Sequence, residues 1–170
     1  MNPVLARWNA LDTEAAAREV LPCCGSRAWA MALAARRPIS NETLLLETAS
    51  SVWLGLYEEE WQEAFDSHPR IGQRKAVQAT EQSLRWSAQE QIKAAVIDDA
   101  AKIALEDANR RYEERFGRIF IVCATNKSLA EILRILDSRM SNDAITELRE
   151  AVEQQRQITQ LRLRRWLEPN

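Results

Sequence analysis

Residues 41–57 read NETLLLETASSVWLGLY, and the spacing of their apolar side chains decides the fold class. Leu45, Ala49, Val52, Trp53 and Leu56 recur at three- and four-residue steps. In a helix of about 3.6 residues per turn this stacks them on one stripe. The next stretch, EEEWQEAFDSH at 58–68, keeps the same rhythm, with Trp61, Phe65 and His68 at offsets of four and three. His68 is therefore expected on the apolar side of a short helix, in its last turn. Proline follows it, and helices usually end at or before the residue preceding a proline.

Working outward, Ser26 is a cap for a helix running through Arg36 and stopped by Pro38. Residues 70–86, RIGQRKAVQATEQSLRW, show no period and read as a long connection. Loops of that length in a compact domain are uncommon and often functional. A long helix is expected from Ser87 to Phe116, where Gly117 ends it, followed by the β-prone run RIFIVCA. Helices over 128–138 and 142–167 close the chain. No internal repeat, low-complexity tract or linker interrupts it. The expectation is an all-α, single-domain helical bundle over residues 1–170, with one short extended segment near 119–124.

Composition narrows the function classes. Hydrophobic residues at 46% and charged residues at 28%, with four glycines and five prolines, exclude a disordered or fibrous chain. A net charge of -2 gives no basic field, so no nucleic-acid partner is expected. The six tryptophans are dispersed and none alternates with a basic stripe, which makes them core rather than a stacking platform. With one histidine, three cysteines and no CxxC, the chain offers no ordinary metal site. No glycine-rich phosphate loop and no GxSxG is present. The start, MNPVLARWNALDTEAAA, lacks a basic stretch followed by an unbroken apolar core, and no apolar run could span a bilayer. The final WLEPN is not a peroxisomal address, so a reduced cytoplasmic protein is expected.

Three side chains stand out. A lone histidine on an apolar helix face is either a satisfied core residue or a catalyst. His68 stands where its helix ends, so its ring borders the following segment, and a helix C-terminus favours the protonated imidazole. The unperturbed pKa of about 6.5 suits proton transfer near neutrality. Glu90 completes SAQE at 87–90, a match to the capping box in which Ser87 and Glu90 start a helix. A helix start also offers free amides to an anionic ligand, so Ser87, Glu90 and Gln91 could form a binding rim as well. Arg162 falls four residues after Ile158 and four before Trp166, on the side that reads as buried, whereas Arg164 and Arg165 read as a solvated face. A buried arginine needs an anion, supplied either by an Asp or Glu partner or by a ligand.

Seven motifs then fall into one register: LPCCGSRAWA at 21–30, RRPIS at 36–40, HPRIG at 68–72, SAQEQ at 87–91, NRRYEERFG at 109–117, IFIVCA at 119–124 and ITQLRL at 158–163. In this order and spacing the chain resembles the 2-oxo-4-hydroxy-4-carboxy-5-ureidoimidazoline (OHCU) decarboxylase family, from about residue 8 to residue 163. The resemblance implies an all-helical, often dimeric enzyme of uric acid degradation that needs no metal or organic cofactor. Its substrate would be a small ureidoimidazoline, converted to (S)-allantoin with loss of carbon dioxide. It implies catalytic roles for His68, Glu90 and Arg162, and ligand contacts for Pro69, Ser87 and Gln91. The stretch Val122, Cys123, Ala124, Thr125 and Asn126 would close over the ring. Two positions depart from the family pattern: Arg118 stands where many relatives are apolar, and Asn126 where many have glycine. The rivals are a helical module that binds a purine-derived anion without turnover, and an interaction bundle using the basic last helix.

Overall fold

Short polar side chains at the helix starts lay out the architecture, because each satisfies a backbone amide that has no partner within its own helix. The computed structural model describes residues 2–73, 75, 76, 78–95 and 98–168. Asn2 caps α1 (Pro3–Asn9), Asp12 caps α2 (Thr13–Cys24), Ser26 caps α3 (Arg27–Ala34) and Asn41 caps α4 (Glu42–Leu54). After α5 (Glu58–Asp66) come α6 (Glu81–Glu90), capped by Thr80, and α7 (Asp99–Phe116), capped by Asp98. Ser128 forms a full capping box with Glu131 at the start of α8 (Leu129–Arg139), and α9 (Ala144–Trp166) completes the order. Among the described residues the regular structure is all α, with a short 3-10 turn at Ile92–Ala94 and no strand.

The all-α class, the stripe on residues 41–57 and the last two helices agree with the sequence reading. Three local expectations do not. The helix capped by Ser26 ends at Ala34, not Arg36. The helix expected over 87–116 is two helices, and Ser87 lies inside the first rather than capping it. Thr80 takes the capping role by accepting from the Ser83 amide at 3.1 Å, which shortens the connection read over 70–86. The break after Glu90 was hidden because it contains neither glycine nor proline. Gln91 simply leaves helical geometry, at φ -95° and ψ 8°. Third, His68 lies two residues beyond α5 instead of in its last turn, with its amide donating to the Phe65 carbonyl at 3.0 Å. Residues 74 and 77 of the expected connection, and the chain end at 169–170, lie outside the described residues.

The residues group into two compact units, one of those up to Ala64 with those from Arg156 onward, the other Phe65–Gln155. In the first, Trp8, Trp29 and Trp53 are fully buried. Burial of an indole requires a partner for its N–H. Trp8 donates to the Ala16 carbonyl at 2.8 Å and Trp29 to the Ala49 carbonyl at 3.0 Å. These three tryptophans are core, as their dispersion suggested, while Trp61 and Trp166 of the same unit are half-buried. Arg37 of the RRPIS motif donates to the Trp8 and Leu11 carbonyls, both at 2.7 Å, and so closes the ends of α1 and its loop.

The second unit packs Leu105, Ala108 and Tyr112 of α7 and Ile132 and Leu136 of α8 against Phe120, Val122 and Ala124. The strand-like run is thus buried core over residues 120–124, with no strand beside it among the described residues. Its backbone polar groups must still be paired, and side chains do this. Arg139 donates to the Ile121 carbonyl at 2.7 Å, Lys127 to the Cys123 carbonyl at 2.7 Å, and the Cys123 amide to Gln154 at 2.8 Å. Arg139 also holds Glu147, which is fully buried and accepts from Tyr112 and from Asn142 as well.

Candidate active site

The HPRIG segment leaves α5 and turns sharply, and four contacts fix its course. The His68 ring meets the Gln155 side-chain oxygen at 2.7 Å through Nε2. Arg70 makes a two-pronged ion pair with Glu113 of α7, at 2.5 and 2.8 Å. Asn109 donates to the Ile71 carbonyl at 3.3 Å, and the Gly72 amide donates to Gln91 at 2.9 Å. Gly72 has φ of 85°, a left-handed conformation that glycine adopts without a steric penalty. Three sequence motifs therefore meet here: HPRIG is tied to SAQEQ through Gln91 and to NRRYEERFG through Asn109 and Glu113.

His68 and Pro69 are both buried. Ser87 and Glu90 lie in the last turn of α6 and are buried as well, while Gln91 follows as its C-cap. Glu90 is close enough to Cys123 to act on its thiol. Burial raises the Cys123 pKa most, the Lys127 ammonium opposes this, and the Glu90 carboxylate adds to the rise. The 122–126 stretch turns at its end, where the Lys127 amide donates to the Ala124 carbonyl at 3.0 Å. Asn126 has φ of 65°, a left-handed backbone that asparagine tolerates better than other side-chain-bearing residues.

Nine of the expected positions, with His68, thus fall in the second unit: Pro69, Ser87, Glu90, Gln91, Val122, Cys123, Ala124, Thr125 and Asn126. Arg162 falls in the first. It is fully buried on α9, as the stripe predicted, and donates to the Pro22 carbonyl at 3.3 Å in the last turn of α2. A cation is favourable at a helix C-terminus. The neighbouring thiols of Cys23 and Cys24 are pushed up by burial, against the opposing pull of Arg162, Cys24 to about 12. They are neutral packing groups, not nucleophiles. Arg164 is exposed as expected, but Arg165 is half-buried.

Sequence reading missed Gln154 and Gln155. Consecutive residues of α9, they hold the Cys123 amide and the His68 ring. The available signal was the placement of Gln155 on the buried stripe of α9 with Ala151, Ile158 and Arg162. No group of three or more His, Cys, Asp or Glu is gathered among the described residues, and no described helix is long and apolar enough to cross a membrane.

Fold and site define an all-α protein with its one imidazole held by a buried amide and a carboxylate buried at the end of a neighbouring helix. The family model for OHCU decarboxylase matches residues 9–164. The chain belongs to the OHCU decarboxylase family. The uric acid degradation bifunctional protein TTL of Arabidopsis thaliana is 34% identical over 143 residues, 83% of this chain and 44% of that protein. The 2-oxo-4-hydroxy-4-carboxy-5-ureidoimidazoline decarboxylase of Amia calva is 40% identical over 65 residues, 38% of this chain and 36% of that one. The chain spans less than half the length of these curated relatives. A crystal structure of OHCU decarboxylase in the presence of (S)-allantoin superposes with a TM-score of 0.74 at 32% identity, covering 86% of this chain and 95% of the other. A crystal structure of (S)-allantoin synthase, at 16% identity and a TM-score of 0.73, shares the fold over 96% of this chain and 53% of its own.

Proposed function

We propose that this chain is a cofactor-independent carboxy-lyase that converts 2-oxo-4-hydroxy-4-carboxy-5-ureidoimidazoline to (S)-allantoin in uric acid degradation. The observation that carries the reading is the likeness to the OHCU decarboxylase structure over 95% of that chain. Residues 1–170 act as one domain, a reading supported by a family match that runs from residue 9 to residue 164.

The chemistry suits the side chains. The substrate carboxylate is attached next to a ring C=N, which can accept the electrons released with carbon dioxide, so no cofactor sink is needed. The protein must turn the carboxylate out of the ring plane, hold the ureido and ring groups, and protonate one face of the enamine. His68 is the acid/base, Glu90 accepts N–H donors of the substrate, and Arg162 anchors its negative or carbonyl-bearing part. Pro69, Ser87 and Gln91 contact the ligand, and Val122, Cys123, Ala124, Thr125 and Asn126 border it. A homodimer and a cytoplasmic setting complete the proposal, the latter supported by three buried cysteines without disulfides.

Because the substrate decays unaided, handedness is the decisive readout. Circular dichroism of freshly generated substrate should follow accumulation of one allantoin enantiomer with the protein and a racemate without it. His68→Asn should stay folded and lose about 10²–10⁴ in turnover, the contribution of a positioned general acid. Near-normal turnover with a lowered melting point would assign His68 to packing. Allantoin binding without turnover by the wild type would favour the binding module.

A further inference from the structure

The proposed acid/base leaves open which ring nitrogen of His68 works, and what holds the ring. The backbone around it is held through the Phe65 carbonyl, Asn109 and Gln91, and the Arg70 side chain is held by Glu113. Gln155 restrains rotation of the side chain of His68. This glutamine is fully buried, stands 87 positions away in the chain, and meets Nε2 at 2.7 Å.

We propose that Gln155 is the positioning residue for His68: its amide oxygen accepts the Nε2 hydrogen, fixes the ring orientation, and assigns proton exchange with the substrate to Nδ1. This rests on the decarboxylase reading. An amide oxygen accepts and never donates, so the neutral ring must carry its hydrogen on Nε2, and the imidazolium satisfies the same bond. The contact therefore survives both protonation states, which a group that gains and loses a proton each turnover requires. A buried carboxylate in this place would also orient the ring but would bias it toward the charged form. The uncharged amide orients without that bias. Gln154 holds the Cys123 amide from the same turn of α9. One rigid helix thus locks the acid/base and the neighbouring extended segment together.

His68 is the only histidine, so every imidazole resonance of the full-length protein belongs to it. In the wild type with ring-15N histidine, the neutral form should show a protonated Nε2 and an unprotonated Nδ1. Gln155→Leu should give a mixture of tautomers and a loss of about 10² in kcat, the cost of a misplaced reacting group, with a smaller change in KM. A wild-type Nδ1–H tautomer overturns the proposal, even where Gln155→Leu fails to fold. So does a folded Gln155→Leu protein with unchanged tautomer and kcat. A wild type that yields only racemic allantoin at the uncatalysed rate overturns the decarboxylase reading, and this inference with it. Stereospecific turnover with the wrong tautomer removes the inference alone.

Discussion

Arg139 divides its guanidinium between the buried Glu147 carboxylate, at 2.5 and 2.9 Å, and the Ile121 carbonyl, and it stacks on Phe120 at 4.6 Å. Removing one partner of a buried ion pair leaves the other charge without its compensation. Arg139→Met should cost about 3–5 kcal/mol in urea unfolding. The double variant Arg139→Met with Glu147→Gln should recover a large part of this loss, because the stranded charge is gone. An additive double variant would show that the two do not act as a pair. Nothing in ILRILDSRM marks Arg139 as buried, since an arginine in the last turn of a helix reads as a dipole partner at the surface. Arg162 was legible because helical spacing put a charge on an apolar stripe. Gln155 shares that stripe, but an amide carries no charge to draw notice, and pairing over 87 positions has no local signature.

At the scale of elements, apolar spacing marked the helices and short polar residues marked some of their starts, but Ser87 was read as a helix start where the observed cap of α6 lies seven residues earlier, at Thr80. Thr80 holds the Ser83 amide, while Ser87 sits in the last turn. Thr80→Ala should therefore lower stability by about 1 kcal/mol, with Thr80→Ser retaining most of it, measured by chemical unfolding. Equal stability of Thr80→Ala and wild type would move the cap elsewhere. The run IFIVCA shows the opposite difficulty. Its β-branched and aromatic composition was read as an extended segment, and the run is buried core over residues 120–124 with no regular structure, since a strand needs a neighbouring strand. Here Arg139, Lys127 and Gln154 take the neighbour's place, and their contribution depends on tertiary contacts that no window of sequence contains.

Across the whole molecule, buried acids tie stability to pH. The Cys24 thiol, ordinarily at 9.0, is pushed up to about 12 by burial, and burial also raises Cys23 and Tyr112. An unfolded chain releases the Cys24 proton near pH 9, whereas the folded one keeps it until about 12. The folded state thus binds more protons in that window, and stability must fall as pH rises through it. Urea midpoints should be level up to pH 9 and then decline. Cys24→Ala should flatten the decline, and an unchanged slope would assign it to other groups. The class of fold and the family were legible in the chain, the first through local spacing and the second through the register of its motifs. The division into two compact units was not, because α5 and α9 each run without interruption through its boundaries.

The same thiols serve a second purpose. Cys23 and Cys24 are sealed within one unit and Cys123 within the other. An alkylating reagent added from outside meets each sulfur only when the surrounding unit breathes. Tagged peptides weighed at successive times would thus clock the opening of either half separately, using nothing but the cysteines the chain already owns.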